Sequence, residues 1–354
     1  MLSRLLYYAG VGLHKERSWF YITDVTGKRI SSTSISNSPE ELKKYFETIT
    51  KPFVLAVEAT YNWYFFVDIA EEYAEKVYLA NSYELKAFAK RHKKTDKIDA
   101  RLIADVLRKG YLLTVTIPDK NTRGIKEFLR YRMNIVVDRT RNISRLKNIL
   151  DKLGENSSGN FTTYKRLNEI SAVHFPFNYQ EAITGYVERI RYLSKELHNI
   201  EKFLREKAFK DSDIINLMFI PGLNYFSTVI IKSEIIDICR FASFNRLCAY
   251  AGFAPRVSQS ANKTFHGPLN KNRRKTLQWI LIEVVPHFIR ALPDKQRKYL
   301  AIRKRKGVNT AKVVLARDML KIIYHVLKEK RPFYINKQTD YKVRSAVAPA
   351  LCGV

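Results

Sequence analysis

The hydrophobic pattern in the N-terminal third of the chain alternates between the period of a strand and that of a helix. From Leu5 to Ser36, aromatic and β-branched residues around a glycine turn predict a meander of strands. A helix is predicted to open at Pro39, and it is followed by the apolar run FVLAVEA, a second helix, the short strand KVYLAN and a helix from Ser82. Strands that alternate with helices pair in parallel. We therefore expect an α/β domain whose sheet is antiparallel in its early strands and parallel in its later ones.

Beyond the loop around Pro118 the pattern is helical over a long distance. Two amphipathic runs rich in Arg and Lys, beginning TRGIKEFLRY and YQEAITGYVE, most simply pair as an antiparallel coiled coil or contribute to an oligomer. The C-terminal part is mainly α-helical, and Pro221-Gly222 divides two apolar stretches into a helix–turn–helix element. We expect three domains, residues 1–118, 119–210 and 211–354.

The charge balance of the chain indicates a polyanionic partner. The 354 residues include 63 Lys and Arg against 34 Asp and Glu, a formal net charge of +29. Such a charge repels itself unless a partner neutralises it, and nucleic acid is the first candidate. No apolar run is long enough to span a membrane, and the three cysteines have no CxxC spacing, so neither a membrane anchor nor a structural zinc site is expected. We expect a protein of the reducing cytosol.

Three carboxylates are candidates for chemistry. Glu58 ends the run FVLAVEA, and open α/β sheets carry their sites at the carboxyl ends of such strands. An exposed charge at the end of a strand is an equally good interpretation. Asp96 and Asp99 share one face at the start of a predicted helix, which suits a divalent cation, although on spacing alone a capping box with Asp96 as the N-cap residue is favoured. The basic residues around them favour a functional interpretation because they would steer phosphate towards the acids.

A serine-containing segment in the C-terminal part is a weaker candidate. Residues 258–263, SQSANK, are predicted to form a polar loop between helices, with hydroxyl groups flanked by Arg256 and Lys263. Such cations would stabilise a phosphate under attack by serine. Most serines in loops have no such role, and no His–Asp relay is evident here.

Dense basic clusters, KNRRKTLQW and IRKRKG, predict contacts with phosphate rather than an ordinary solvated face. The residues expected to contact nucleic acid are Arg91, Lys93, Lys94, Arg256, Lys263, Lys271, Arg273, Arg274, Lys275, Arg303, Lys304 and Arg305.

The order of these features resembles the DEDD-type insertion-sequence transposases, a family of bridge-RNA-guided DNA recombinases. The resemblance is carried by AGVGLHKERSWFYITDVTGK, LAVEATYNWYFFVDI and KKTDKIDARLIADVLRKGYL in the N-terminal part, and by FIPGLNYFSTVIIKSEI and FNRLCAYAGFAPRVSQSANKTFHG in the C-terminal part. It covers nearly the whole chain. It implies an RNase H-like (resolvase-like) catalytic domain, a C-terminal transposase domain with a serine nucleophile, a structured guide RNA, target and donor DNA, and assembly into a dimer or tetramer in a prokaryotic cell.

The resemblance also implies roles for individual residues. Glu58, Asp96 and Asp99 fall on the last three acids of the family pattern, which would hold a divalent metal ion, Mg²⁺, at the scissile phosphate. Ser260 falls on the nucleophile, with Ser258 as the second choice. The first acid is missing, because Gly12 stands in its place and glycine has no side chain to bind a metal. Impaired activity is therefore expected unless another group, of which Asp24 is the nearest acid on the next strand, substitutes.

Two further interpretations remain open on the sequence. The chain could be a metal-dependent resolvase or nuclease that acts on branched DNA without RNA, in which case replacing Ser260 would leave cleavage intact. It could also be a non-catalytic nucleic-acid-binding protein, an interpretation that Gly12 makes less remote.

Overall fold

The structure, a computed structural model, describes residues 6–88, 95–176, 178–260, 263–269 and 273–334. The chain forms two compact units, Met1–Pro118 and Asp119–Val354. In the described residues, the first unit is a mixed sheet with helices, and the second is mainly helical with one β-hairpin.

The first unit is built on a single sheet. Its strands are β1 (Tyr7–Leu13), β2 (Arg17–Thr23), β3 (Arg29–Ser36), β4 (Phe53–Glu58), β5 (Lys76–Ala80) and β6 (Thr114–Val115). They lie in the order β3-β2-β1-β4-β5-β6. Strands β1 to β3 are antiparallel, β4 is parallel to both β1 and β5, and β6 is antiparallel to β5. The predicted mixed sheet is confirmed, and its topology is consistent with an RNase H-like α/β domain.

Helices cover both faces of this sheet. They are α1 (Pro39–Thr48), α2 (Trp63–Ala70), α3 (Ser82–Phe88) and α4 (Asp96–Arg108). Ser38 caps α1 by accepting a hydrogen bond from the amide of Glu41, which agrees with the predicted helix start. On the α1 and α2 face, Phe20, Phe46 and Phe66 pack together in a core of fully buried side chains. Helix α4 packs on the opposite face.

The contact between α4 and the central strand β1 depends on Gly10. A Cβ atom at this position would lie 2.2 Å from the carbonyl oxygen of Ala100 and 2.3 Å from the amide nitrogen of Ala104. Both neighbours are backbone atoms of α4, so a side chain at residue 10 would force the helix away from the strand. Ala100 and Ala104 are themselves fully buried. Small residues on both elements therefore set the distance between α4 and the sheet.

The second unit is mainly helical and begins with a long helical hairpin formed by α5 and α7. The α-helices of the unit are α5 (Lys120–Lys152), α6 (Tyr164–Ser171), α7 (Tyr179–Ala208), α8 (Ser212–Met218), α9 (Tyr225–Ile235), α10 (Phe244–Tyr250), α11 (Lys275–Ala291), α12 (Pro293–Lys306) and α13 (Val308–Glu329). Helices α5 and α7 run antiparallel, since Arg132 bonds with Glu201 at 2.6 Å while Leu150 shares a core with Ile183. The two predicted long helices are thus present, and a coiled coil remains a prediction. None of the described helices is long and apolar enough to cross a membrane.

A β-hairpin joins α10 to α11 in the second unit. It consists of β7 (Pro255–Ser260) and β8 (Lys263–Leu269), which are antiparallel. The prediction of a polar loop between helices at this place is wrong. Val257, Thr264 and Phe265 belong to the residue types that favour strands, and pairing satisfies backbone N–H and C=O groups within the protein.

We predict that Gly10→Ala destabilises the first unit by about 2–3 kcal/mol, because the added methyl group overlaps the backbone of α4. Urea unfolding followed by the fluorescence of Trp19 and Trp63, in a Trp279→Phe background, measures the effect on this unit alone. Gly12→Ala is the matched control, since its Cβ has an ordinary contact distance to α4. An equal effect of the two substitutions would contradict the assigned role of Gly10.

Candidate active site

The carboxyl ends of the parallel strands β1 and β4 lie side by side. Val11 is the register partner of Val57, so that Gly12 is placed beside Glu58, the last residue of β4. The C-terminal ends of parallel strands are the usual position of functional sites in α/β sheets. The sheet thus brings the position of the implied first acid next to the second.

Gly12 and Glu58 also share a face of the sheet. Two residues earlier, Gly10 and Ala56 are register partners that both face α4, because Gly10 contacts the helix backbone and Ala56 shares a core with Ile103. Side chains alternate along a strand, so Gly12 and Glu58 face the same side as this helix.

Helix α4 begins at the same end of the sheet. Its N-cap residue is Thr95, whose hydroxyl accepts a hydrogen bond from the amide of Ile98 at 3.3 Å. Asp96 is the first helical residue and Asp99 lies in the first turn. The interpretation of Asp96 as the N-cap is therefore wrong, because Thr95 supplies the cap. The positive end of the helix dipole stabilises carboxylates at both positions.

Residue 12 has room for a side chain directed at this helix end. A Cβ atom on Gly12 would lie 3.4 Å from the carbonyl oxygen of Asp96, an ordinary van der Waals distance. The φ angle of Gly12 is not positive, so the backbone does not require glycine here. The backbone therefore accepts an acid at residue 12, and in this sequence none is present.

His14 contacts the side-chain carboxylate of Asp96. Its Nε2 atom lies 3.0 Å from Oδ1 of Asp96, and both side chains are about half exposed. The backbone carbonyl of His14 accepts hydrogen bonds from the side-chain amides of Asn37 and Asn62, at 2.7 and 2.8 Å. No motif of the sequence pointed to this histidine. Residue 14 continues the alternation of residues 10 and 12 one position beyond the end of β1, and this period is the pattern that could have identified it.

The carboxylates do not form a metal centre in their present arrangement. Among the described residues, no group of three or more His, Cys, Asp or Glu side chains is placed to hold a metal ion. The acidic residues at this end of β4 and α4 are Glu58, Asp96 and Asp99, and residue 12 of β1 is a glycine without a side-chain donor. The donor set as it stands does not fit a resident divalent ion, and the metal roles of the three acids remain predictions.

Asp24 does not replace the missing acid. It follows β2 at the opposite end of the sheet, since Thr23 pairs with Tyr8 near the start of β1. Its Oδ1 atom accepts hydrogen bonds from the hydroxyl and amide of Thr26 and from the amide of Lys28. The hydrogen bond from the Thr26 hydroxyl lowers the pKa of Asp24. This carboxylate stabilises the β2–β3 turn.

The serine candidates lie on β7 of the second unit. Ser258 is the register partner of Phe265, and Ser260, the last residue of the strand, is the partner of Lys263. Ser260 and Lys263 are therefore the last described pair of the hairpin, at the end farthest from α10 and α11 in sequence. Its nucleophilic role remains a prediction.

Two of the arginines that are predicted to contact phosphate make contacts with other residues of the protein in this structure. Arg274 precedes α11, and its Nε atom donates a hydrogen bond to the hydroxyl of Tyr250 at 2.8 Å. The side chain of Arg273 packs against Gly252. Contact with nucleic acid remains a prediction for both arginines.

The other predicted contacts differ in exposure. Residues 303–305 are exposed in the last turn of α12, a helix with no buried residue, and Lys275 is exposed at the start of α11. Arg256 and Lys263 occupy positions on β7 and β8. Four predicted contacts lie outside the described residues, namely Arg91, Lys93, Lys94 and Lys271.

Comparisons with known proteins find similarity in both units. Residues 9–154 match the family model of DEDD-type IS110 transposases, and residues 215–301 match the model described as transposase IS116/IS110/IS902 family. The transposase for insertion sequence element IS1328 of Yersinia enterocolitica is 21% identical over 242 residues, which cover 68% of this chain and 72% of that protein.

We predict that Thr95→Ala destabilises the first unit by about 1 kcal/mol, because the amide of Ile98 loses its capping partner. Urea unfolding followed by Trp19 and Trp63 fluorescence measures the loss. Thr95→Ser keeps a hydroxyl at the same position and should retain most of the stability. A Ser variant as unstable as the Ala variant would exclude capping as the cause.

Proposed function

This chain belongs to the IS116/IS110/IS902 family of transposases, and from that premise we propose that it is an RNA-guided DNA recombinase that excises and inserts its own element. DNA is its substrate, as for transposases in general. In the proposal, a structured bridge RNA pairs with target and donor DNA, and the protein holds these duplexes through their shape and backbone. It would act in the cytoplasm of a prokaryotic cell, on the DNA of the nucleoid.

The observation that carries the proposal is the convergence of β1, β4 and α4 at one end of a mixed sheet. Glu58 ends β4, Asp96 and Asp99 begin α4, and the residue beside Glu58 on β1 is Gly12. Three of the four acids implied by the family pattern thus come from elements that meet at one end of the sheet, which supports this end as the DNA-cleaving site.

The missing first acid bears on metal binding. Transposases of the DEDD type generally use divalent metal ions, and Mg²⁺ is the ion that we propose for the complete acid set because it prefers carboxylate oxygens. With Gly12 in place of the first acid, the set lacks one donor. We therefore propose that this chain binds the ion weakly and cleaves DNA poorly.

Ser260 is the proposed nucleophile of strand exchange. Its Oγ atom would form a bond to the scissile phosphorus while the bond from phosphorus to the leaving deoxyribose oxygen breaks. The serine proton passes to solvent, and the leaving oxygen takes up a proton. The phosphoserine link conserves the ester, so attack by a new strand end reverses the step and rejoins the DNA. The position of Ser260 opposite Lys263 in the hairpin supports this role, and Ser258 is the second choice.

The basic surface is proposed to bind the nucleic acids. The exposed last turn of α12 carries consecutive cations, and phosphate binding by such residues releases counterions and weakens with salt. We further propose that the α5–α7 hairpin contributes to a homo-oligomer, a dimer or tetramer, in which the carboxylates of one subunit face Ser260 of another.

We predict that Gly12→Asp raises metal-dependent formation of the covalent protein–DNA link by at least about tenfold. The aspartate restores a donor beside Glu58, and losing even an outer partner of a metal costs 10–100-fold in affinity or activity in known sites. The measurement is a gel assay of the link with labelled DNA carrying the element's end, at several Mg²⁺ concentrations and with the guide RNA present.

Two variants make this experiment decisive. Gly12→Asn has nearly the same volume without the charge, and it should leave the activity low. Ser260→Ala in the Gly12→Asp background should abolish the link. Equal metal-dependent activity of the parent chain and Gly12→Asp would contradict the proposed impairment.

Gly12, which stands where the family pattern implies an acid, leaves room for one alternative, a nucleic-acid-binding protein without catalysis. Binding without turnover, even by Gly12→Asp, would support this alternative. A metal-dependent resolvase that needs no RNA would cleave branched DNA when Ser260 is replaced by Ala.

We predict that the protein, expressed with the natural flanks of its gene, copurifies with one discrete RNA from a flank at moderate salt. A guide RNA is held through many contacts of defined shape, whereas nonspecific nucleic acid is held mainly by charge. Sequencing the retained nucleic acid checks the prediction. A heterogeneous mixture that salt displaces readily would contradict the RNA-guided part of the proposal.

A further inference from the structure

The β7–β8 hairpin is held at its base by contacts between the two chain segments that enter and leave it. The entering segment contains Tyr250 and Gly252, and the leaving segment contains Arg274 and Gln278. A two-stranded hairpin is at best marginally stable on its own in water. Its orientation therefore depends on what fixes this base, which we call the stem.

Three hydrogen bonds join the two sides of the stem. The amide of Arg274 donates to the carbonyl oxygen of Tyr250 at 3.0 Å, and Nε of Arg274 donates to the Tyr250 hydroxyl at 2.8 Å. The buried side-chain amide of Gln278 donates to the carbonyl oxygen of Gly252 at 2.9 Å. One of the three donors is a guanidinium group, and charge-assisted hydrogen bonds are the stronger kind.

Close packing reinforces these hydrogen bonds. Gly252 has a φ of +79°, which disfavours any residue with a side chain, and a Cβ atom there would lie 2.4 Å from Cδ of Arg273. The aliphatic part of Arg273 thus occupies the space that a side chain at residue 252 would need. This arrangement ties the leaving segment to the entering one at a second point.

The stem rests on a buried network from two other helices. The Tyr250 hydroxyl also donates to the carbonyl oxygen of Glu234 at 3.0 Å, so it links Arg274 to α9. The Glu234 carboxylate in turn accepts a hydrogen bond from Nζ of Lys126 of α5 at 3.1 Å, and both side chains are at most 10% exposed. The guanidinium of Arg240 lies 4.6 Å from the centre of the Tyr250 ring. Tyr250 is therefore held from both its ring and its hydroxyl.

The geometry points to Tyr250 and Arg274 as positioning residues that fix the hairpin and, through it, Ser260. This inference rests on the proposed nucleophilic role of Ser260. From the Pro255–Leu269 pair at the stem to the Ser260–Lys263 pair at the tip, the hairpin spans about 17 Å, so a small rotation at the stem displaces the serine by several times the movement at the base. Neither residue needs to touch DNA to control where the hydroxyl lies.

The alternative for Arg274 is a direct contact with phosphate, and the two roles respond differently to substitution. Arg274→Lys keeps the positive charge but removes the Nε donor, so a phosphate contact survives it largely and the stem bond does not. Tyr250→Phe removes only the hydroxyl, which has no charge to offer a phosphate. Because the two substitutions break the same hydrogen bond, their effects should be less than additive.

The first test is hydrogen–deuterium exchange of the full-length protein, followed by mass spectrometry. In Tyr250→Phe and in Arg274→Lys, the amides of residues 255–269 should exchange about fivefold faster or more, while those of the α5–α7 hairpin keep their rates. Tyr192→Phe, which removes a hydroxyl from an exposed residue of α7, is the matched control and should change nothing in the β-hairpin. Unchanged exchange in residues 255–269 overturns the inference, and so does an equal rise throughout the second unit.

The second test measures the chemistry in the Gly12→Asp background. Tyr250→Phe should lower the single-turnover rate of protein–DNA link formation at least about tenfold, while the Kd for DNA stays within about twofold. A parallel rise in Kd would indicate a binding residue and overturn the positioning role. The exchange experiment does not depend on the chemistry. If the hairpin loosens but Ser260→Ala leaves the link intact, the nucleophile assignment fails and the stem's control of the hairpin stands.

Discussion

The close contact between α4 and β1 over Gly10 is the constraint on which the candidate site depends. Without a side chain at residue 10, the backbone of α4 lies against the strand, and the first residue of the helix, Asp96, lies close to Gly12 at the carboxyl end of β1. Because Gly12 is beside Glu58, α4 begins at the end of the sheet where Glu58 ends β4. Gly12, two residues further along β1, faces the same helix and has space for a side chain. The backbone would therefore accept an acid at residue 12, and only the sequence lacks it.

Most of the first unit could be predicted from local patterns. Apolar runs such as FVLAVEA and the cap at Ser38 are short-range features, and they correctly indicated a mixed sheet with helices on its faces. The hairpin at residues 255–269 could not be predicted in the same way. Its residues are mostly polar and lie between helices, so the only indications of strands were Val257, Thr264 and Phe265, and strand pairing between neighbouring segments decided the outcome.

The site was predictable in part for a similar reason. Glu58 could be placed at the end of β4 because a charge ends an apolar run, while its role in the site stays a prediction. The cap of α4 was misassigned by one residue, since Thr95 and Asp96 are both good N-cap residues and only the backbone distinguishes them. The contact of His14 with Asp96 and the bond of Arg274 with Tyr250 join residues far apart in sequence. The charge of Arg274 indicated a phosphate contact, and only the tertiary structure shows that its side chain bonds to Tyr250 at the stem of the hairpin.

The most direct test of the account is a calorimetric titration of Mn²⁺, as a substitute for Mg²⁺, into the parent protein, Gly12→Ala and Gly12→Asp. We expect binding at least about tenfold tighter for Gly12→Asp than for the other two, and loss of that gain when Asp96 is also changed to Asn. Equal affinities in all three proteins would contradict the claim that residue 12 completes a metal site with Glu58 and the first turn of α4.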